Sequence, residues 1–147
     1  MELRTNRIFT IIFILEMIQA RSIFDFGAIA NSIHATQINS KAIELALLSA
    51  NQNLTDRVVE IDAGYDFYIL TSAIFDVHNV TLKIDGNLLV SNNLSEWLSL
   101  PNLNYSKAAL YFSSSSYIGI SGNGMIDGQG YNWWWYTILC LCEKRPQ

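Results

Sequence analysis

Between residues 40 and 50 the apolar positions Ile43, Ala46, Leu47 and Ala50 follow the i, i+3, i+4, i+7 spacing of a helix with one buried stripe, and Lys41 and Glu44 fall on the other face. Glycine and proline are absent from the stretch, Asn39 or Ser40 can cap its start, and it runs out in the polar Asn51-Gln52-Asn53. The spacing predicts one helix of about three turns. Beyond it the pattern changes to short β-prone runs at 57–61, 67–70, 80–84, 88–91, 109–112, 117–120 and 125–126, separated by Gly, Asn, Asp and Ser. In the clearest of these, Val80, Leu82 and Ile84 share one face and Thr81, Lys83 and Asp85 the other, as in a half-buried strand.

Hairpin chemistry is scarce, with Asp85-Gly86 and Ser121-Gly122 the two tight turns of the right composition. Short strands with polar corners and a single early helix predict an all-β chain: a right-handed single-stranded parallel β-helix, or solenoid, with an N-terminal capping α-helix that covers the first exposed strand edge. A β-sandwich is the rival architecture.

The first twenty residues read as an address. Arg4 and Arg7 flank an apolar run at 8–18, which is too short to cross a bilayer core of about 30 Å as a helix and fits the apolar region of a secretory signal peptide. Residues 1–20 are expected to be removed, leaving 21–147 as one domain. Sequons at Asn53, Asn79, Asn93 and Asn104 agree with a secreted, glycosylated product, no membrane span being expected after removal of the leader.

Composition narrows the classes further. Half of the 147 residues are apolar and the net charge is −4, which suits one domain with a real core and argues against disorder and against a nucleic-acid partner. Cys140 and Cys142 have no histidine or second cysteine pair nearby, so neither a zinc site nor a disulfide framework follows, and no cofactor is expected.

The string from Ile118 to Gly130, with Gly122, Gly124, Asp127 and Gly128, followed by Trp133-Trp134, resembles a signature of the polygalacturonase family, glycoside hydrolase family 28. The similarity extends to Phe24-Asp25-Phe26-Gly27-Ala28, like that family's opening strand, to Lys41-Ala42-Ile43 in its first helix, to the strand and Gly-x-Tyr corner at 58–65, and to Arg145-Pro146 after the tryptophan pair. The resemblance covers about 125 residues of this chain. It implies a parallel β-helix, inverting hydrolysis of α-1,4-galacturonan in pectin, and a monomeric enzyme whose partner is that polysaccharide.

The family's catalytic Asn-Thr-Asp, Asp-Asp, Gly-His-Gly and Arg-Ile-Lys motifs do not occur here, so the sequence reads as an N-terminal, C-terminally truncated portion that is inert by itself, with no catalytic residue in the chain. Residues 30–39 also replace the acidic stretch that usually follows the opening strand. Galacturonan is a polyanion, whereas Lys41, Arg57, Lys83 and Lys107 stand singly among acids. Alternatives are a pectate or pectin lyase-like or other β-helix depolymerase, and a non-catalytic secreted carbohydrate-binding module.

Other candidates have simpler readings. Asp62 and Asp66 could form a carboxylate pair, but acids beside glycine usually serve turns, and Asp85 and Asp127 are read as corner residues in the same way, the latter with neighbouring glycines at positive φ. His34 and His78 are expected to be solvated or bonded within turns, and the serines at 113–116 to form a polar corner. Trp133, Trp134 and Trp135 could stack on sugar faces, with at least one indole expected to pack over a corner instead.

Overall fold

The computed structural model describes residues 20–101 and 108–139. The signal peptide expected over 1–20, apart from Ala20, lies outside them, as do Asn104, Lys107, Cys140, Cys142, Arg145 and Pro146.

Strand β1 (Arg21–Ser22) leads into a 3-10 turn at Ile23–Phe26, and then comes helix α1 (Thr36–Gln52). Next are β2 (Val58–Ile61), β3 (Asp66–Ile69), β4 (Ser72–Phe75), β5 (His78–Ile84) and β6 (Asn87–Val90). A short helix α2 (Leu94–Ser99), strands β7 (Leu110–Ser113), β8 (Ser116–Ser121) and β9 (Met125–Asp127), and helix α3 (Tyr131–Ile138) complete the order. Every strand pair is parallel. The first sheet has the order β1-β2-β5-β8, the second β3-β6-β9 and the third β4-β7. From β2 onward the chain visits the three sheets in turn.

The all-β right-handed single-stranded parallel β-helix with a capping helix is corrected by this architecture. The fold is mixed α/β, about 30% helical, and its short parallel strands make three small sheets with no closed or solenoid sheet among them. Alternation over four residues specifies a strand with one buried face but does not specify how strands are joined into sheets. The apolar stretch at Tyr131–Ile138 is a helix whose pattern the aromatic composition obscured. The two turns with hairpin chemistry join strands of different parallel sheets, and the antiparallel sandwich does not form.

Register explains the core. Val59 lies beside Leu82, Ile61 beside Ile84, Phe67 beside Leu88 and Ile69 beside Val90, and all eight are buried. Their neighbours in sequence, Glu60 and Lys83, Asp66 and Asn87, face outward. Ile23 and Ala28 from the first turns pack into the same cluster with Ile43, Ala46 and Leu47 of α1. The expected opening strand is replaced from Ile23 by the 3-10 turn, because Ser22 accepts a hydrogen bond from the Phe24 amide and Gly27 ends the turn at φ 86°. Asp25 lies in that turn's first residues.

Helix α1 is longer than its stripe suggests, and it is not capped by Asn39 or Ser40: Ala35 occupies the cap, with no side-chain bond. Both residues are buried inside the helix and serve its neighbours. Asn39 accepts from the Ile29 amide at 2.7 Å and donates to the carbonyls of Ile29 and Tyr68 at 3.0 and 2.9 Å. Ser40 accepts from the Leu70 amide, and its carbonyl receives the Ser72 hydroxyl. Glu44 accepts from the Ala73 amide at 2.8 Å, and Asn51 accepts from the His78 amide while donating to the Asp76 carbonyl. The bonds to Tyr68, Leu70, Ser72 and Ala73 meet β3, β4 and the residue between them on the side where no strand lies among the described residues, and Asn51 holds the link from β4 to β5.

Asn39→Ala takes the partner from three part-buried backbone groups, of Ile29 and Tyr68. Urea denaturation should show a loss of about 2 kcal/mol, beyond that of a surface substitution.

Candidate functional site

Two surface groups carry recognisable chemistry. The first is a polar row on the outward face of the first sheet. Parallel register puts Glu60, Lys83 and Ser121 side by side. The Lys83 ammonium lies 2.9 Å from Glu60 and 2.6 Å from Asp85, and Asp85 also accepts from the Asn123 amide at 3.0 Å. Asp85 therefore keeps its carboxyl below the usual carboxylate range, chiefly through Lys83 and then the Asn123 amide, while Asp85 and Glu60 raise the Lys83 ammonium. A general acid needs the opposite, a carboxyl held protonated towards neutral pH. The row is an ion-paired network, two carboxylates on one ammonium, rather than acid/base machinery.

The other acids singled out in the sequence are similarly occupied. Asp62 accepts from the Ser22 hydroxyl and Asp66 from the Asn87 amide group at 2.7 Å, so the two do not form a working pair. Asp127 ends β9 and accepts from the Gln129 amide at 2.8 Å, as a corner residue should. The left-handed position beside it is Gln129, φ 44°, rather than the neighbouring glycines. His78 begins β5, with its Nδ1 2.8 Å from the Ser116 hydroxyl, and Ser115 accepts from the Val77 amide within the serine run. Among the described residues no group of three or more His, Cys, Asp or Glu could hold a metal ion. None of the described helices is long and apolar enough to cross a membrane.

The second group is the aromatic helix. With 3.6 residues per turn, Tyr131, Trp134, Trp135 and Ile138 fall on one side of α3 and Trp133 on the other. Trp133 is buried, and its indole meets that of Trp97 edge to face at 6.1 Å. Trp97 is itself pinned by donation from Nε1 to the Ser91 carbonyl at 2.7 Å. Tyr131 and Trp135 meet edge to face at 6.2 Å, and they and Trp134 are exposed, by 72%, 45% and 57%. Next to the start of this helix Asn92 donates to Gln129 at 3.1 Å. Flat rings beside amide groups are what sugar faces and hydroxyls require of a binding surface. Sequence spacing marked the tryptophans, but only the helix phase separates the packed indole from the two exposed ones.

Four glycines of the 118–130 string divide into two kinds, while at Gly119 a Cβ would meet the Thr81 hydroxyl at 2.9 Å. At the corner joining the first and second sheets, Gly122 and Gly124 lie so close to the layer above that a Cβ would fall 2.0 Å from the Ile84 carbonyl oxygen and 1.9 Å from that of Gly86. The Gly124 amide donates to the Ile84 carbonyl at 2.8 Å, which fixes the approach. Gly128 and Gly130 face open space. Of the sequons, Asn53 ends α1 and accepts from the Thr55 amide, Asn93 caps α2, and Asn79 is exposed near the start of β5.

No protein-family model, no curated protein and no solved structure matches this chain.

Two predictions follow from the corner and the polar row. Gly124→Ala should cost upwards of about 3 kcal/mol or prevent folding, while Gly128→Ala stays within about 0.5 kcal/mol, both by thermal melting. Lys83→Met should return the Asp85 titration towards its ordinary value of 3.8, followed by carboxyl-carbon NMR. Because the folded-state value is lowered, the stability from this row is complete above the ordinary carboxylate value and is lost as pH falls through the depressed one.

Proposed function

We propose that the chain is the framework portion of a secreted, polygalacturonase-like glycoside hydrolase whose substrate is α-1,4-galacturonan, and that it lacks the reacting carboxylates itself. Inverting hydrolysis uses a carboxylic acid on the leaving oxygen and a carboxylate on the attacking water, about 6.5–9.5 Å apart. Glu60, Asp62, Asp66, Asp85 and Asp127 are engaged in ion pairs and hydrogen bonds of the framework, which supports placing the reacting carboxylates elsewhere. The observation that carries the proposal is the corner at Gly122 and Gly124, where the residues that bear the family resemblance are also the ones the backbone needs, since a Cβ there meets a carbonyl oxygen. A motif that answers a steric demand of this kind has a physical reason to be shared with a family.

A second reading, a non-catalytic carbohydrate-binding module, is favoured by one feature: the exposed rings of Tyr131, Trp134 and Trp135 on a single helix face.

The test uses polygalacturonate, with saturated reducing ends and unsaturated products followed separately. The 147-residue chain should release neither, and the product of the complete transcript should release saturated ends with inverted anomeric configuration. Unsaturated products would assign a lyase instead. Galacturonan binding by the chain, lost in Trp134→Ala and Trp135→Ala, with no cleavage by either protein, would assign the binding module.

A further inference from the structure

A sequon and an exposed aromatic ring are stacked on neighbouring strands. β5 and β8 pair with His78 beside Ser116 and Val80 beside Ile118, which makes Asn79 and Tyr117 the aligned residues between them. Both have left-handed backbones, φ 54° and 55°. For asparagine this is tolerated, whereas for a bulky aromatic residue it is a genuine outlier. Two aligned residues of the same conformation on parallel strands direct their side chains alike, about 4.8 Å apart. Asn79 is exposed and Tyr117 is 87% exposed, so both side chains leave the surface together.

The residues just before the two, His78 and Ser116, are firmly held. Asn51 grips the His78 amide at 2.9 Å, Arg57 donates to the His78 carbonyl at 2.9 Å, and the His78 ring meets Ser116. The Asn79 side-chain amide itself makes no hydrogen bond among the described residues, unlike Asn53 and Asn93, whose side-chain oxygens are used locally. Asn79-Val80-Thr81 completes the acceptor sequence.

We propose that Asn79 carries an N-linked glycan whose first sugar lies against the Tyr117 ring. The bond formed joins Asn79 Nδ2 to the anomeric carbon of an N-acetylhexosamine. The nitrogen gives up one proton, and the lipid-linked sugar diphosphate donor of the secretory route loses its lipid diphosphate. The remaining N–H and the side-chain oxygen stay in solvent. The sugar's apolar C–H face and the tyrosine ring cover each other, which gives a use to an aromatic side chain otherwise held bare in a costly backbone conformation. The inference requires entry into the secretory route but not the galacturonan reading.

The test expresses the full chain in a eukaryotic secretory host, behind its own leader and, in parallel, behind the leader of a protein that host secretes. Peptide mass mapping should find a glycan on Asn79 in at least the second case, and an unmodified Asn79 there overturns the proposal. Asn79→Asp keeps a residue that tolerates the left-handed backbone and removes the glycan. Nitration of Tyr117 by tetranitromethane, mapped on peptides, should be several-fold slower in the glycosylated chain than in Asn79→Asp. Equal rates overturn the ring contact, and the occupancy measurement stands whether or not the variant folds.

Discussion

The edges of the first strands in the second and third sheets have to be satisfied, and helix α1 does this with side chains. β3 and β4 each have a strand on one side only, which leaves amides and carbonyls that would otherwise be buried without partners or open to another chain. Asn39, Ser40 and Glu44 reach those groups one after another along the helix, and Asn51 continues the row onto the link into β5. Meanwhile Ile43, Ala46, Leu47 and Ala50 of the same helix close the apolar core. A helix placed by apolar packing alone could slide or rotate; one that also matches a row of backbone groups has a single position. The layers below inherit that position through parallel register.

At the far side of the molecule the same register continues with less cover. Leu82 is fully buried, but its aligned partner Ile120 is 56% exposed; Leu88 is buried and Ile126, beside it, is exposed. The side chains alternate as they do above, so the difference comes from what lies beyond them among the described residues and not from the pattern. Trp133 against Trp97 fills part of this region with an aromatic pair, whereas the outer rings of α3 remain in solvent. The chemistry of the chain is thus unevenly spread: the buried-edge polar side chains hold the framework, and the outer aromatic rings of α3 face solvent.

Several features were legible in the sequence. The alternation at Val80, Leu82 and Ile84 identified the buried face of β5, and the i, i+3, i+4 stripe identified α1. Asn39 lies on that same stripe, four residues before Ile43, and a polar residue on a buried stripe is a sign of a required hydrogen bond that a cap assignment hides. Strand β4 was not legible, because Ser72–Phe75 is short and its buried Ser72 breaks the apolar rhythm. Of the candidate groups, the turn role of Asp127 followed from its glycine neighbour, whereas Asp62 and Asp85 were expected to serve their own turns and instead meet Ser22, Lys83 and Asn123, and the Glu60–Lys83–Asp85 row needs the register to exist.

What the sequence by itself determined is local: which residues face inward, where the chain bends, and that Gly122 and Gly124 mark a special corner. Those properties depend on side-chain volume, polarity and backbone freedom within a few residues. The tertiary structure alone decided the sheet membership of each strand, the mixed α/β class in place of an all-β one, the burial of Trp133 beside exposed Trp134, and the alignment of Asn79 with Tyr117. Each of these depends on which distant residue arrives alongside, and that is set by register and helix phase across the whole fold rather than by any one stretch of the chain.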